Sequence, residues 1–332
     1  MPELRARAQY MPHQSPITGH QSPRADLRSA LRDAIAELER EHVPSAAFAA
    51  ELLLMHALGR DRAWLYAHPE DELDATTHEQ YFSLIARRAG GVPTQYLTGH
   101  QEFWGLDFEV TPDVLIPRPE TEHVIEVALA QLGISEGSDS QPRRDAELHI
   151  ADIGTGSGCI VIALTHELPE AQFVATDISA AALEVARRNA ARHNVTPRIK
   201  FIECNLLDAL FHQSPATSHP PQVWRAGQSP QFDLIASNPP YISRRAAATL
   251  AREVREHEPE AALYGGEAGV ELYAPLIAQA AKLLKSGGVL VLELGHDSAE
   301  HVSRLLAAPE WAEAALTSDL AGIARVASAL RR

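Results

Sequence analysis

Phe232-Asp233-Leu234-Ile235-Ala236-Ser237-Asn238-Pro239-Pro240-Tyr241 reads as a buried strand brought to a stop. Its first half is a short apolar run of the kind that makes a buried strand. Its second half ends the strand with two prolines, each of which fixes its own φ, while Pro239 also pushes Asn238 into extended geometry. The result is a rigid polar tip. The side-chain carbonyl of Asn238 and the backbone carbonyl of Pro239 are held in set directions before any ligand arrives, and Pro240 and Tyr241 complete the corner with an aromatic wall. Two fixed acceptors beside a flat surface suit a planar amino group with two N–H donors. That chemistry belongs to the carboxamide of glutamine or asparagine, or to the exocyclic amine of adenine or cytosine. The plainer alternative is a strand leaving its sheet through a proline-rich turn, and the restrictive Asn-Pro-Pro-Tyr pattern sets it second.

Around this strand the chain alternates strand and helix in the manner of a parallel α/β sheet. Strands are predicted at Leu148–Asp152, Phe173–Asp177, Ile199–Glu203, Phe232–Ser237 and Val289–Leu294, with a last one over Ile323–Leu330. Helices are predicted over about Gly158–Glu167, Ala180–His193, Val270–Lys285 and Glu300–Leu306. The piece from Leu206 to Gln231 carries prolines and Ser-Pro pairs and reads as a surface insertion, its body over 207–231. Gly133 to Asp145 reads as a surface connection.

Asp152-Ile153-Gly154-Thr155-Gly156-Ser157-Gly158 stands where the first of these strands passes into its helix. Glycines there let the backbone turn tightly and approach a ligand without interference from a Cβ. Asp177, at the end of the next strand, is placed to accept hydrogen bonds from both hydroxyls of a ribose. A dinucleotide fingerprint needs a glycine or alanine three residues after Gly156, where Cys159 stands instead. The spacing fits an adenosyl ligand without a pyrophosphate, S-adenosylmethionine, with a dinucleotide or a purely structural turn as the alternatives. In an open α/β sheet, ligands lie across the carboxyl ends of the strands where strand order reverses. Asp152 and Asn238 are expected as neighbours across that crevice.

The 332 residues carry a net charge of −15, which disfavours a large nucleic-acid-binding surface. Cys159 and Cys204 are too few for a disulfide framework and lack a C-x-x-C spacing, so they read as reduced core thiols of a cytoplasmic protein. The histidines show no metal-binding spacing; His296 and His301 do not share a helical face, and no metal is expected. No stretch is long and apolar enough to span a bilayer, and the first 24 residues lack the apolar segment of a signal peptide, reading as a disordered leader.

Ahead of the sheet, Leu27, Leu31, Ile35 and Leu38 recur at helical spacing; a second helix runs from Ala46 to Leu58 and is closed by Gly59. Asp61 is a candidate cap for a short third helix with Trp64 and Leu65, and a fourth spans about His78–Arg88. Tyr96–Glu109 has the alternation and glycines of a hairpin, and a helix from about Thr121 to Gln131 follows the proline-fixed loop over 115–122.

Asn-Pro-Pro-Tyr at 238–241, Asp-Ile-Gly-Thr-Gly-Ser-Gly at 152–158, Tyr-Leu-Thr-Gly at 96–99, Glu-Phe-Trp-Gly at 102–105 and Ile-Pro-Arg-Pro-Glu-Thr-Glu at 116–122 together resemble the release factor glutamine methyltransferases, the PrmC/HemK family. The proline tetrapeptide is shared with adenine-N6 DNA methyltransferases; the hairpin and the Arg-Pro-Glu-Thr-Glu stretch are more specific. The resemblance covers residue 26 to the C-terminus. It implies a seven-stranded, Rossmann-like class I methyltransferase sheet over 123–332, a helical substrate-docking domain over 25–92, and a joining hairpin and linker over 93–122. It implies methyl transfer from S-adenosylmethionine to the side-chain N5 of the glutamine in the Gly-Gly-Gln loop of class 1 peptide chain release factors, without direct contact to nucleic acid. The roles it carries over put the cofactor on Gly154, Thr155, Gly156, Ser157, Gly158, Asp177, Leu206 and Asn238. The substrate amide falls on Asn238, Pro239, Pro240 and Tyr241, with Phe103 and Glu120 placed near the site. Where the family often has an aromatic residue after an acidic one, this chain has Asn205-Leu206. An adenine-N6 nucleic-acid methyltransferase is the competing reading, since it would use the same tip on a flipped base.

Overall fold

The computed structural model describes residues 26–134, 148–211, 231–312 and 314–332. The leader over 1–24, residues 135–145 of the connection over 133–145, and residues 212–230 of the insertion over 207–231 lie outside the described residues. The chain divides into two compact units, Met1–Ile85 and Ala86–Arg332.

Within the first unit, the helix Leu27–Arg40 starts where Asp26 accepts the Ser29 N–H at 2.7 Å. Its buried face is Leu27, Ala30, Ala34 and Leu38, so Leu31 and Ile35 of the expected stripe stand at its margin. Small residues on the packing side let helix Ala46–Leu58 come close, a preference that apolar spacing alone does not reveal. Gly59 closes that helix at φ +62°, and Asp61 caps Arg62–Ala67 through the Trp64 N–H, both as predicted. A helix then runs over Ala75–Ala89, beginning ahead of His78 because Asp74 accepts the Thr76 and Thr77 N–H groups.

In the second unit, Thr94–Thr98 is a short helix rather than the first strand of the hairpin. The hairpin itself pairs His100–Phe103 with Leu106–Glu109 around Trp104-Gly105. Both turn residues have positive φ, +55° and +69°, as a two-residue turn between twisted strands requires. Helix Glu122–Gln131 follows.

Seven strands form the sheet: β1 (His149–Ile153), β2 (Gln172–Asp177), β3 (Ile199–Glu203), β4 (Phe232–Ser237), β5 (Leu284–Glu293), β6 (Ala315–Ser318) and β7 (Ala324–Leu330). Their order is β3-β2-β1-β4-β5-β7-β6. The first five are parallel; β7 runs antiparallel to β5, and β6 pairs antiparallel with β7 and so runs with the first five. Chain direction reverses its march across the sheet between β1 and β4, which pair Ile153 with Ser237, so the two motif-bearing strand ends adjoin at the crevice.

Alternate side chains of the apolar strands feed two cores. Ile150, Leu234 and Val291 enter one with helices Glu122–Gln131 and Cys159–Glu167. Ala151, Ile235 and Leu290 enter the other with helices Tyr273–Leu283 and Ala299–Leu306.

Elsewhere the structure departs further from expectation. β5 begins at Leu284 rather than Val289, its polar Lys285–Gly288 entry accommodated by a register irregularity opposite Phe232/Leu234. Helix Tyr273–Leu283 is shorter than the span over 270–285 because Gly269 turns at φ +85° and Leu284 is already extended. The edge strand β6 is four residues long and mostly exposed, so it gave no alternating apolar signal. The segment after Leu206 is not all insertion: Asp208–Phe211 is a helical turn, and Leu207 and Leu210 are buried in the second core. Cys159 is buried as expected, but Cys204 is only half-buried.

Candidate active site

β1 passes into helix Cys159–Glu167 through the glycine loop. The Gly154 and Thr155 N–H groups both donate to Thr176 O, at 2.8 and 2.9 Å, which lays the loop across the end of β2. Gly154 and Gly156 sit at φ +70° and +54°, and a Cβ on either would face open space. Their strain under substitution is therefore conformational, and the loop backbone stays accessible from the crevice. Gly158 is different: a Cβ there would meet Ile162 Cδ1 at 3.0 Å and Ala186 Cβ at 3.2 Å, so it is a packing glycine. Ser157 and Thr155 are buried; Thr155 donates its hydroxyl to Asp152 Oδ2 at 2.7 Å, and Ser157 offers its carbonyl to Asn189 Nδ2 at 2.9 Å. Asn189, which sequence reasoning missed, also exchanges two hydrogen bonds with the Glu109 backbone, tying hairpin, loop and helix Ala180–Arg192 together. A lone asparagine in a helix carries no pattern that would betray this.

Asp177 stands at the end of β2 with both carboxylate oxygens engaged: Oδ2 accepts the Gly156 N–H and Oδ1 the Ser179 N–H, each at 2.9 Å. Each oxygen retains a second lone-pair direction for a ligand. Burial raises the Asp177 pKa, opposed by those backbone donors. Leu206 packs beside the second core at φ +50°, its carbonyl held by the Thr176 hydroxyl at 2.8 Å. The Cys204 N–H donates to Asp177 O at 2.9 Å, so the 204–206 segment is fastened to the same strand end. Asp152, fully buried below the loop, has an unpartnered Oδ1 and a pKa pushed up to about 7 by desolvation.

At the end of β4, Ser237 donates its hydroxyl to Ile153 O at 2.7 Å, tightening the junction with β1. Asn238 donates Nδ2–H to Thr121 Oγ1 at 3.0 Å. Thr121 comes from the proline-fixed segment and is itself buried. Pro239 is buried, and Pro240 and Tyr241 are half-buried. The tip rests on glycines: a Cβ on Gly265 would stand 2.3 Å from Pro240 O, one on Gly269 2.5 Å from Tyr241 O, and one on Gly295 3.0 Å from the Tyr241 ring. Tyr241 donates its hydroxyl to Glu293 Oε1 at 3.2 Å, and burial pushes the Tyr241 pKa up. Below the tip, Glu258 takes hydrogen bonds from Arg118 and from the Ile116 N–H, fixing the segment that delivers Thr121. Glu120 is exposed, and Phe103 is a buried core aromatic packed edge-on against Phe108. No cluster of metal-ligating side chains occurs among the described residues.

Residues 144–319 match the model of a methyltransferase domain, and residues 29–99 match that of the PrmC N-terminal domain. The release factor glutamine methyltransferase of Koribacter versatilis (strain Ellin345) is 40% identical over 300 residues, covering 90% of this chain and 96% of the relative. This chain belongs to the release factor glutamine methyltransferase family. Two further family members are similar in the same way. The protein from Chlorobaculum tepidum is 42% identical over 276 residues, covering 83% of this chain and 87% of its own. The protein from Bradyrhizobium diazoefficiens is 39% identical over 315 residues, covering 95% and 96%. The catalytic domain of hMettl16, solved with a MAT2A 3′UTR hairpin, covers 75% of this chain and 81% of its own at 18% identity and a TM-score of 0.49, too distant to add to the assignment. The glycine loop and the polar tip stand at the same end of the sheet, after the paired strand ends Ile153 and Ser237.

Proposed function

We propose that this protein transfers a methyl group from S-adenosylmethionine to the N5 amide of the glutamine in the Gly-Gly-Gln loop of class 1 peptide chain release factors. The observation that carries this reading is the hydrogen bond from Asn238 Nδ2 to Thr121 Oγ1, which turns the side-chain carbonyl of Asn238 away from Thr121 and leaves it as an acceptor. The release-factor substrate follows from relatives of that name that match nearly the whole chain, helical region included.

The residues present fit S-adenosylmethionine. The positive-φ glycines Gly154 and Gly156 leave open space where Cβ atoms would otherwise project, Asp177 holds two acceptor oxygens at the strand end, and Leu206 is fastened beside it. Gly154 to Gly158 would hold the methionine and adenosine portions, Asp177 the ribose and Leu206 the adenine, with Asn238 bordering the same crevice. When bound, the cofactor supplies an electrophilic methyl group on a positively charged sulfur.

The remaining task falls to the protein. An amide nitrogen is a poor nucleophile because its lone pair is delocalised into the carbonyl. Asn238 Oδ1 and Pro239 O accept the two N–H bonds of the substrate carboxamide and present its face, and Tyr241 and Pro240 wall the plane. Such orientation supplies several kcal/mol. Fixed acceptors also stabilise the positive charge that grows on nitrogen, and the methylated nitrogen then releases a proton to water. The Arg118–Glu258 pair and the glycines beneath the tip hold these atoms in place.

The residues 25–92 are the release-factor docking domain in this reading, joined through 93–122 to the methyltransferase domain over 123–332. The protein works in the cytoplasm, where release factors act; no helix among the described residues is long and apolar enough to cross a membrane. Nucleic acid is not a substrate in this reading, in keeping with the net charge of −15. The test is intact-mass spectrometry of release factors after incubation with protein and S-adenosylmethionine. A gain of one methyl group on the Gly-Gly-Gln peptide is expected. Labelling of DNA or RNA adenine in place of release factor would transfer the assignment to an adenine-N6 methyltransferase.

A further inference from the structure

Glu293 ends β5 one residue beyond Leu292, the partner of Ser237, so it stands beside Asn238 at the rim of the crevice. Its exposure is 1%, and its Oε2 has no hydrogen-bond partner among the described residues. Burying a carboxyl group with an orphaned oxygen is unfavourable, more so when it is ionised, so its presence next to the tip calls for a role. Two hydroxyls surround it. Tyr241 donates to Oε1 at 3.2 Å, and Thr121, whose oxygen already accepts the Asn238 amide, is the other hydroxyl near enough to hold the carboxyl pKa down, with Oε2 the acceptor left open to it.

The donor count at Thr121 makes the link specific. Its oxygen accepts Nδ2–H from Asn238, so its own single hydrogen must be given elsewhere. An ionised carboxylate, which only accepts, takes that hydrogen and leaves the Asn238 amide with Nδ2 toward Thr121 and Oδ1 away from it. A protonated carboxyl can instead donate to Thr121, freeing the threonine hydrogen to turn toward Asn238. The threonine would then favour the flipped amide, and a substrate N–H would meet a donor.

We propose that Glu293 is a positioning residue whose ionised carboxylate, by taking the Thr121 and Tyr241 hydrogens, sets the orientation of the Asn238 carboxamide that grips the substrate amide. This rests on the reading of Asn238 given above. Burial pushes the Glu293 pKa up to about 7, so its titration falls within the working range. The other titratable or charged groups facing it are Glu120, Tyr241, Tyr273, whose hydroxyl bonds the Glu293 carbonyl, Cys159, and Arg325, which is paired with Asp319. Glu120 raises and Arg325 lowers the Glu293 pKa, and burial outweighs both.

The test is the pH dependence of kcat/KM with release factor as substrate, for wild type, Glu293→Gln, Thr121→Val and Thr121→Ser, with cofactor affinity measured by isothermal titration. Wild type loses activity on the acid side of about pH 7. Glu293→Gln and Thr121→Val are roughly 10- to 100-fold slower and lack that acid limb, because misplacing a reacting group by an ångström has effects of this size. Both bind the cofactor as wild type does. Thr121→Ser, which keeps the hydroxyl, retains rate and limb. Affinity of the homocysteine-product complex for release factor should fall in Glu293→Gln as it does in wild type at acid pH. Should Glu293→Gln fail to bind cofactor and so prove misfolded, Thr121→Val decides alone. The inference is overturned if the folded variant keeps wild-type kcat/KM or the same acid limb, the latter pointing to Asp152, the other buried carboxyl raised to about 7. A wild-type protein that leaves release factors unmodified but methylates another amine overturns the substrate instead.

Discussion

Asn238 and Thr121 lie 117 residues apart in sequence and are joined by a 3.0 Å hydrogen bond from the asparagine amide to the threonine hydroxyl. The bond makes one end of a symmetric-looking carboxamide distinguishable from the other. Removing the carboxamide should therefore abolish function without touching the glycine loop. Asn238→Ala is expected to lower kcat by at least about 100-fold. Isothermal titration should find cofactor affinity near that of wild type, and a near-normal rate would remove Asn238 from the reaction.

Gly265 tests the support beneath the tip. A Cβ would stand 2.3 Å from Pro240 O and 2.7 Å from Gly269 O, both backbone atoms that no rotamer change can move aside. Gly265→Ala should shift the proline corner, reduce kcat more than tenfold and destabilise the fold by about 1–3 kcal/mol. Gly105→Ala is the control: its Cβ meets nothing within 4 Å, so only its φ of +69° is penalised, by about 1 kcal/mol. Equal kcat losses in the two variants would contradict the buttressing role.

Asp177 has a double duty, holding the Gly156 and Ser179 N–H groups while offering its remaining lone pairs to a ribose. Asp177→Ala should weaken cofactor binding by roughly 1–3 kcal/mol through lost charge-assisted hydrogen bonds. It should also lower Tm, because two part-buried backbone donors lose their acceptor. Unchanged calorimetric affinity would take Asp177 out of the cofactor site.

Asp152 and Glu293 make the fold sensitive to alkaline rather than acid titration across a defined window. Burial raises their pKa values from 3.8 and 4.5 to about 7. Between those limits the folded protein holds more protons than the unfolded chain. Their contribution is complete below the ordinary carboxylate values and is lost as pH rises through about 7. Asp152→Asn combined with Glu293→Gln should flatten the fall in urea-unfolding stability across this window by on the order of a few kcal/mol. An unchanged slope would show that neither carboxyl is held neutral.

The strands and helices around the site were readable because each is apolar with the right period and is punctuated by glycine, proline or aspartate. The glycine turn after β1 and the proline stop after β4 are local chain chemistry, so a single stretch sufficed for each. β6 escaped because an exposed four-residue edge strand buries almost nothing and leaves no pattern. Leu207 and Leu210 were hidden by the prolines that follow them, although both are buried in the core.

By itself the amino-acid sequence determined the parallel sheet, the adjoining loop and tip, and, through five motifs together, the family. It also determined that the Asn238 corner is rigid, since proline restricts backbone torsions regardless of surroundings. Only the tertiary structure decided which way the Asn238 amide faces, that Phe103 serves the core, and that Glu293 and Thr121 stand at the tip. Those depend on hydrogen bonds and burial between segments far apart in the chain, and a side chain's partners across space have no periodicity along it.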